Sequence, residues 1–303
     1  MSLPQQQEWS VPAVPAVNLT RRHAFFVVFA LAVLALGFDT LRGLVVYAWD
    51  MENKNASQIF LIPFISAGFL FLNRKDIFSR VGYGFVPGAL TILTGAVLLA
   101  TAGAWGLQQE GDRIAVATGS VVVMLLGGFL LFYGTAAFRA ALFPLLFLVF
   151  MLPIPSFILD PSIKFLQWGS AEMSYVLLKL SGTPIFREGF VFAMPGITIE
   201  VAPECSGIRS CIGMFILSII GGQMLLQTQW NRVILVCVAI PIMIFKNAVR
   251  IATLSLGSVY VDPSIIESRL HREGGIPFFL LALVLIYPVV VMLMKSEKRT
   301  GEI

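Results

Sequence analysis

Charge is scarce in this 303-residue chain. Asp, Glu, Lys and Arg make up 13% of it, against roughly a quarter in soluble domains. Too few charges are present to cover a water-facing surface. The 21 Lys and Arg residues are scattered rather than gathered into a patch, which excludes nucleic-acid binding. Histidine is scarcer still, with only His23 and His271. The only cysteines are Cys205, Cys211 and Cys237, so no tetrahedral zinc set can be assembled and metalloprotease chemistry is removed. No metal and no other cofactor is expected. Three cysteines cannot all pair.

What the chain has instead is apolar length: 57% of its residues are hydrophobic and its mean hydropathy is +0.86. Residues 55–73, 81–109, 114–138, 140–159, 210–231 and 274–294 contain no charged residue. Each is long enough to cross a ~30 Å hydrocarbon layer as a helix. The chain reads as an all-α integral membrane protein with about eight transmembrane helices, at roughly 24–48, 57–73, 82–105, 114–134, 136–152, 208–229, 232–252 and 276–294. Residues 1–20, rich in Pro and Gln, read as a disordered tail, and 296–303 as a second tail. Residues 21–295 read as one polytopic domain. The run Ala24 to Phe38 also has the length of a signal peptide, but the apolar pattern resumes at Gly43, which favours an uncleaved span. Asp39 and Arg42, three residues apart, can pair on one face of it.

An even span count puts both termini on one side. Arg21, Arg22, Arg74, Lys75, Arg80, Arg139, Arg232, Lys295, Lys298 and Arg299 then fall beside the same face, and Asp50, Glu52, Glu110 and Asp112 beside the other. The positive-inside rule makes the first face cytoplasmic. Residues 153–207 break the rhythm. After Pro153-Ile154-Pro155 an amphipathic stretch runs to about Leu180, suited to the outer interface. Two β-branched or aromatic runs then flank Pro195-Gly196, giving a short outer β-hairpin before the sixth helix.

Cys205 follows this hairpin, where the sixth span starts. A helix N-terminus and Arg209 one turn on would both favour a thiolate. The alternative is a small buried residue with no chemistry. Cys211 and Cys237 lie in apolar spans and read as core. In the seventh span Lys246 and Arg250 follow thirteen uncharged residues. Lys246 reads as a side chain snorkelling to the headgroups. Arg250, flanked by Asn247, is a functional candidate because intramembrane charge is costly. His271 reads alone as a loop histidine. The topology sets it on the same face as the thiol and the guanidinium, and a nucleophile, a base and an oxyanion partner are what acyl transfer through a thioester requires.

Glu188-Gly189, Pro195-Gly196, the run Val201-Ala202-Pro203-Glu204-Cys205-Ser206-Gly207-Ile208-Arg209, then Asn247-Ala248-Val249-Arg250 and His271 with Gly274 together resemble the exosortase/archaeosortase family. Trp49, Leu61-Ile62-Pro63, Arg74 and Pro153-Ile154-Pro155 are also similar, so the resemblance spans about residues 25–294. It implies a membrane cysteine endopeptidase and transpeptidase. Its protein substrates, anchored in the bilayer, carry a C-terminal signal made of a Pro-Glu-Pro-like motif, a transmembrane helix and a basic cluster. The cut protein is passed to an acceptor of unknown identity. By the same resemblance Cys205 is the nucleophile, Arg250 the electrostatic stabiliser and His271 the acid/base, with Glu204, Ser206, Gly207, Arg209 and Asn247 binding substrate or supporting the site. The family often carries a His in the first outer loop, near where this chain has Ser57-Gln58. Read without the resemblance, the residues also allow a polytopic transporter or flippase for a polysaccharide or lipid intermediate, with Asp39, Lys246 and Arg250 lining a path. Against that stand the absence of paired halves and the few buried acidic residues.

Overall fold

A computed structural model describes residues 19–49, 54–262, 264 and 275–301. The expected tail up to residue 18, Asp50, Glu52 and His271 lie outside the described residues. The chain forms two compact units, residues 1–154 and 155–303.

Among the described residues the first unit contains helices and no strand. It contains α1 (Leu19–Leu36), α2 (Phe38–Trp49), α3 (Ile62–Leu72), α4 (Arg74–Ser79), α5 (Phe85–Thr101), α6 (Glu110–Ala140) and α7 (Leu142–Phe147), with short 3₁₀ turns between some of them. The expected first span is broken at Gly37 into α1 and α2. The most intimate packing is between α5 and α6, through small residues. A Cβ added to Gly88 would lie 2.6 Å from Leu131, one on Gly95 2.8 Å from the Ser120 carbonyl, and one on Gly127 2.7 Å from the Ile92 nitrogen. Between apolar helices in an apolar solvent, such backbone proximity supplies the dispersion contacts that water expulsion supplies elsewhere. Near its end α6 kinks at Gly134, whose φ of 81° and ψ of 173° only glycine adopts readily. Arg22 is buried and ties α1 to this kink region. Its guanidinium donates to the carbonyls of Gly82 (2.5 Å) and Phe132 (3.1 Å) and lies over the Tyr83 ring at 3.7 Å. Gly88→Ala should cost about 1–3 kcal/mol through forced separation of α5 and α6. Gly68→Ala, with nothing within 4 Å of the new methyl, should cost far less, and thermal unfolding in detergent would compare the two.

The second unit begins with α8 (Ser156–Leu180), followed by a three-stranded antiparallel sheet and three long helices. The strands β1 (Phe186–Glu188), β2 (Val191–Met194) and β3 (Ile197–Glu200) lie in the order β1-β2-β3. The expected hairpin is β2 and β3, with Phe192 opposite Ile199 and Met194 opposite Ile197. β1 is an addition to that expectation. A 3₁₀ turn, Pro203–Ser206, leads into α9 (Ile208–Leu225), α10 (Gln229–Tyr260) and α11 (Gly275–Gly301), so the expected tail from residue 296 continues the last helix up to Gly301.

Two devices fix this unit. Ala171 and Leu178 of α8, Phe192 and Met194 of β2, Val201, and Ile251 and Ala252 of α10 share one buried cluster. The sheet is also clamped to α8 by Arg187, which forms a forked pair with Glu172 at 2.9 and 2.8 Å and donates to the Gly189 carbonyl. Hydrogen bonding to Glu172 raises the Arg187 pKa further above its already high ordinary value, so the clamp stays charged at physiological pH. At the far end Glu297 accepts from the Gln227 and Thr228 N–H groups and from Asn231, capping the start of α10. Arg232 donates to the Leu226 carbonyl and to Gln223, closing the end of α9.

Among the described residues, six helices are long and apolar enough to cross a membrane: Leu19–Leu36, Phe85–Ala104, Glu110–Ala140, Pro203–Leu225, Gln229–Tyr260 and Ile276–Arg299. The expected span at 57–73 is a shorter apolar helix, Gln58–Leu72, wound as 3₁₀ up to Leu61, and the one at 136–152 is built from shorter pieces because the chain breaks around Ala141. Large apolar side chains such as Phe25, Val28, Leu90, Val97, Val284 and Met292 are more than half exposed. In an all-α membrane protein these are the lipid-facing sides of the helices.

Candidate active site

The turn that carries Cys205 is set by its local sequence. Pro203 opens a single 3₁₀ turn, within which the Cys205 N–H donates to the Ala202 carbonyl at 2.8 Å. Gly207 then takes a left-handed conformation, φ 80° and ψ 13°, and α9 starts at Ile208. Cys205 therefore precedes the first residue of α9 by three positions rather than sitting on its first turn. The glycine is required twice. A side chain at positive φ is strained, and a Cβ there would lie 2.9 Å from the Asn247 amide carbon.

Asn247 lies opposite on α10, 1% exposed, with a partner on each side. Its Nδ2 donates to the Cys205 carbonyl at 2.7 Å and to Ser170 of α8 at 3.0 Å. Three elements thus meet on one amide, and the backbone of the cysteine is held from behind. The preceding residue reinforces the turn by a second route. Lys246 donates to Ser210 at 2.8 Å, and Ser210 donates to the Gly207 carbonyl at 3.0 Å. Lys246 is 1% exposed, which corrects the expectation that it snorkels to the headgroups: Ser210, 36 residues away, receives its proton donor inside the protein.

In front of this turn is a cavity of about 40 Å³, lined by Ile199, Glu200, Val201, Cys205, Arg250, Ile251, Leu254 and Ser255. That is room for a few water molecules, each of which needs roughly 10–15 Å³ of such space. The positions on α10 recur as neighbours one turn apart, 250 and 251 with 254 and 255, so one helix face forms a wall. The sequence-predicted thiol and guanidinium therefore meet at one cavity. Among the described residues, Arg250 and Glu204 are charged groups close enough to act on the thiol. Arg209, expected to supply that positive charge, is exposed on the first turn of α9, and Glu204 is exposed as well. Ser206 is buried at 2%, its hydroxyl accepting weakly from the Ile208 N–H at 3.4 Å.

Cys211 packs beside a buried cluster that includes Met214, Leu235 and Met243, as a core residue does. Cys237 departs from the expectation and is exposed on α10. Among the described residues no group of His, Cys, Asp and Glu is arranged to hold a metal ion. Ser170, Ser210 and Glu200 escaped the sequence reading. The signal for Ser170 was the run Gly169-Ser170-Ala171 with Ser174 one turn on, a small-residue face that admits α10 closely.

Gly207→Ala should cost about 1–2 kcal/mol from the backbone alone, and more from the contact with Asn247. A lowered melting temperature in detergent, together with altered alkylation of Cys205, is the expected outcome. Unchanged values for both would mean the turn has slack that the geometry does not provide.

No curated protein and no solved structure matches the chain. The transmembrane exosortase family does match, over residues 49–288, which is well over half of the length and includes Cys205, Asn247, Arg250 and His271. The chain belongs to the transmembrane exosortase family, a membership that supports a general role as a membrane-embedded sorting transpeptidase.

Proposed function

We propose that the protein is a cysteine endopeptidase and transpeptidase that processes exported, membrane-anchored proteins. The observation that carries this reading is the shared cavity of Cys205 and Arg250, with the Cys205 backbone fixed by Asn247. In the proposed reaction the Cys205 thiolate attacks the scissile carbonyl carbon and the carbonyl π electrons move onto oxygen. The Arg250 guanidinium stabilises that oxyanion. Collapse breaks the C–N bond, and His271 gives its proton to the leaving amine. The resulting thioester is attacked by the nucleophile of an acceptor, whose proton returns to His271, and the thiolate is released. The reaction uses no metal or cofactor.

The substrate signal is a Pro-Glu-Pro-like motif followed by a transmembrane helix and a basic cluster. The substrate's helix docks laterally between spans, and the signal motif meets the exposed side chains beside the cavity. Arg209 suits the carboxylate of the motif, and Glu204, Ser206 and Gly207 shape the approach to the thiol. Residues 21–295 act as one polytopic domain in the cytoplasmic membrane. Both termini face the cytoplasm and the site opens on the outer face.

The test is co-expression of the enzyme with a membrane-anchored reporter carrying such a signal. Processing should depend on both the enzyme and the signal, and should persist in Cys211→Ala and Cys237→Ala. A reporter cut equally well without its signal would contradict the assigned specificity.

A further inference from the structure

The sheet beside the cavity has two unequal edges. β1, at one edge, is three residues long and is tied down by Arg187, whose guanidinium reaches both Glu172 and the Gly189 carbonyl. β3, at the other, has the sequence Ile-Thr-Ile-Glu and contains no Pro, Lys or bulge of the kind that blunts an open edge. Its register says which backbone groups are open. The Val201 N–H donates to the Phe190 carbonyl at 2.9 Å, directly continuing the pairing of Glu200 with Val191. Bonded pairs alternate along an antiparallel ladder. The bonded residues are therefore 197, 199 and 201, and the N–H and C=O groups of Thr198 and Glu200 point away from β2. Both residues are exposed.

This open edge runs directly to the cavity. Ile199, Glu200 and Val201 line it together with Cys205 and Arg250. A chain laid along β3 would thus arrive at the thiol in extended form, its carbonyls held by main-chain hydrogen bonds. We infer that β3 is the docking strand of the enzyme: an extended segment of the protein substrate, next to its scissile bond, adds to the sheet as a fourth strand through the backbone of Thr198 and Glu200. Main-chain pairing is the chemistry such an edge offers, and it leaves the choice of substrate side chains to the cavity. The occupant is the substrate itself, so this inference rests on the proposed function.

The probe is a synthetic peptide in detergent micelles, made of about eight residues leading to Pro-Glu-Pro, an apolar helix of about 20 residues and a Lys-Arg tail. Single N-methyl groups are placed one at a time on the four or so residues before the motif. Each removes one N–H donor, and an intramolecular-strength hydrogen bond corresponds to up to about tenfold in affinity. The expected result has a period of two: N-methylation at alternate residues raises KM about tenfold, and the intervening positions change it little. On the enzyme side, Thr198→Pro removes an outward N–H without touching the β2 ladder. It should raise KM to a similar degree, with the rate of Cys205 alkylation by a small maleimide unchanged. A KM that is flat along the N-methyl series overturns strand addition, whether or not Thr198→Pro folds. The two readings fail separately. A Cys205→Ala enzyme that still cuts the peptide removes the proposed function itself, whereas a dead Cys205→Ala enzyme with a flat N-methyl series removes only the docking strand.

Discussion

Cys205→Ala should abolish processing of a signal-bearing reporter, a loss on the order of a thousandfold or more, as for other covalent nucleophiles. Cys205→Ser should be nearly as inactive, because a hydroxyl lacks the thiolate population and nucleophilicity that a thiol has near neutral pH. The fold should survive both changes. What fixes the turn is the Cys205 backbone, through its N–H to Ala202 and its carbonyl to Asn247, and neither bond uses the sulfur. Comparable melting temperatures with lost activity are therefore expected. Comparable activity would remove the cysteine mechanism.

The second large effect separates charge from geometry at Arg250. Arg250→Lys keeps a cation at the wall of the cavity and loses the planar fork. Loss of an oxyanion donor costs about a hundredfold or more in rate, so Arg250→Lys should fall by that factor with KM little changed. His271→Ala should behave differently, retaining part of the acylation while protonation of the leaving amine slows. In rate against pH, the wild type should show a limb in the histidine range. That limb should disappear in His271→Ala and persist at lower height in Arg250→Lys. An unchanged profile in His271→Ala would assign the acid/base role to another group.

Much of this arrangement is legible in the sequence. The β-branched and aromatic runs on either side of Pro195-Gly196 encode β2 and β3, since each is too short for a helix and the dipeptide between them is a turn signal. β1 was not legible: Phe186-Arg187-Glu188 places two charges in three residues, and what makes it a strand is the Arg187 clamp onto α8. The meeting of Cys205 with Arg250 could be anticipated from topology, because two helices that start and end at one membrane face bring those positions to the same depth. The fate of Lys246 could not. Near a span's end a lysine can reach the headgroups or turn inward, and the choice depends on Ser210, a partner defined only by the packing of α9 on α10. Cys237 illustrates a different limit. In a helix surrounded by lipid, apolar residues face the protein and the solvent alike, so composition does not say which side of α10 is buried. Gly37 and the break near Ala141 were hidden for a related reason, since a single glycine or an isolated charge such as Arg139 also occurs inside continuous spans and does not mark where the backbone turns.

The most direct test of the account is the mass of the tryptic peptide 188–209, which contains Cys205, after membranes holding the enzyme are incubated with a signal-bearing reporter and no acceptor. The account predicts a covalent adduct on Cys205 with the mass of the reporter's new C-terminal tryptic fragment less one water. Neutral hydroxylamine should release it, as it does a thioester, and Cys205→Ala should not form it. Processing that proceeds with this peptide unmodified, or with the adduct on another residue, would contradict the account.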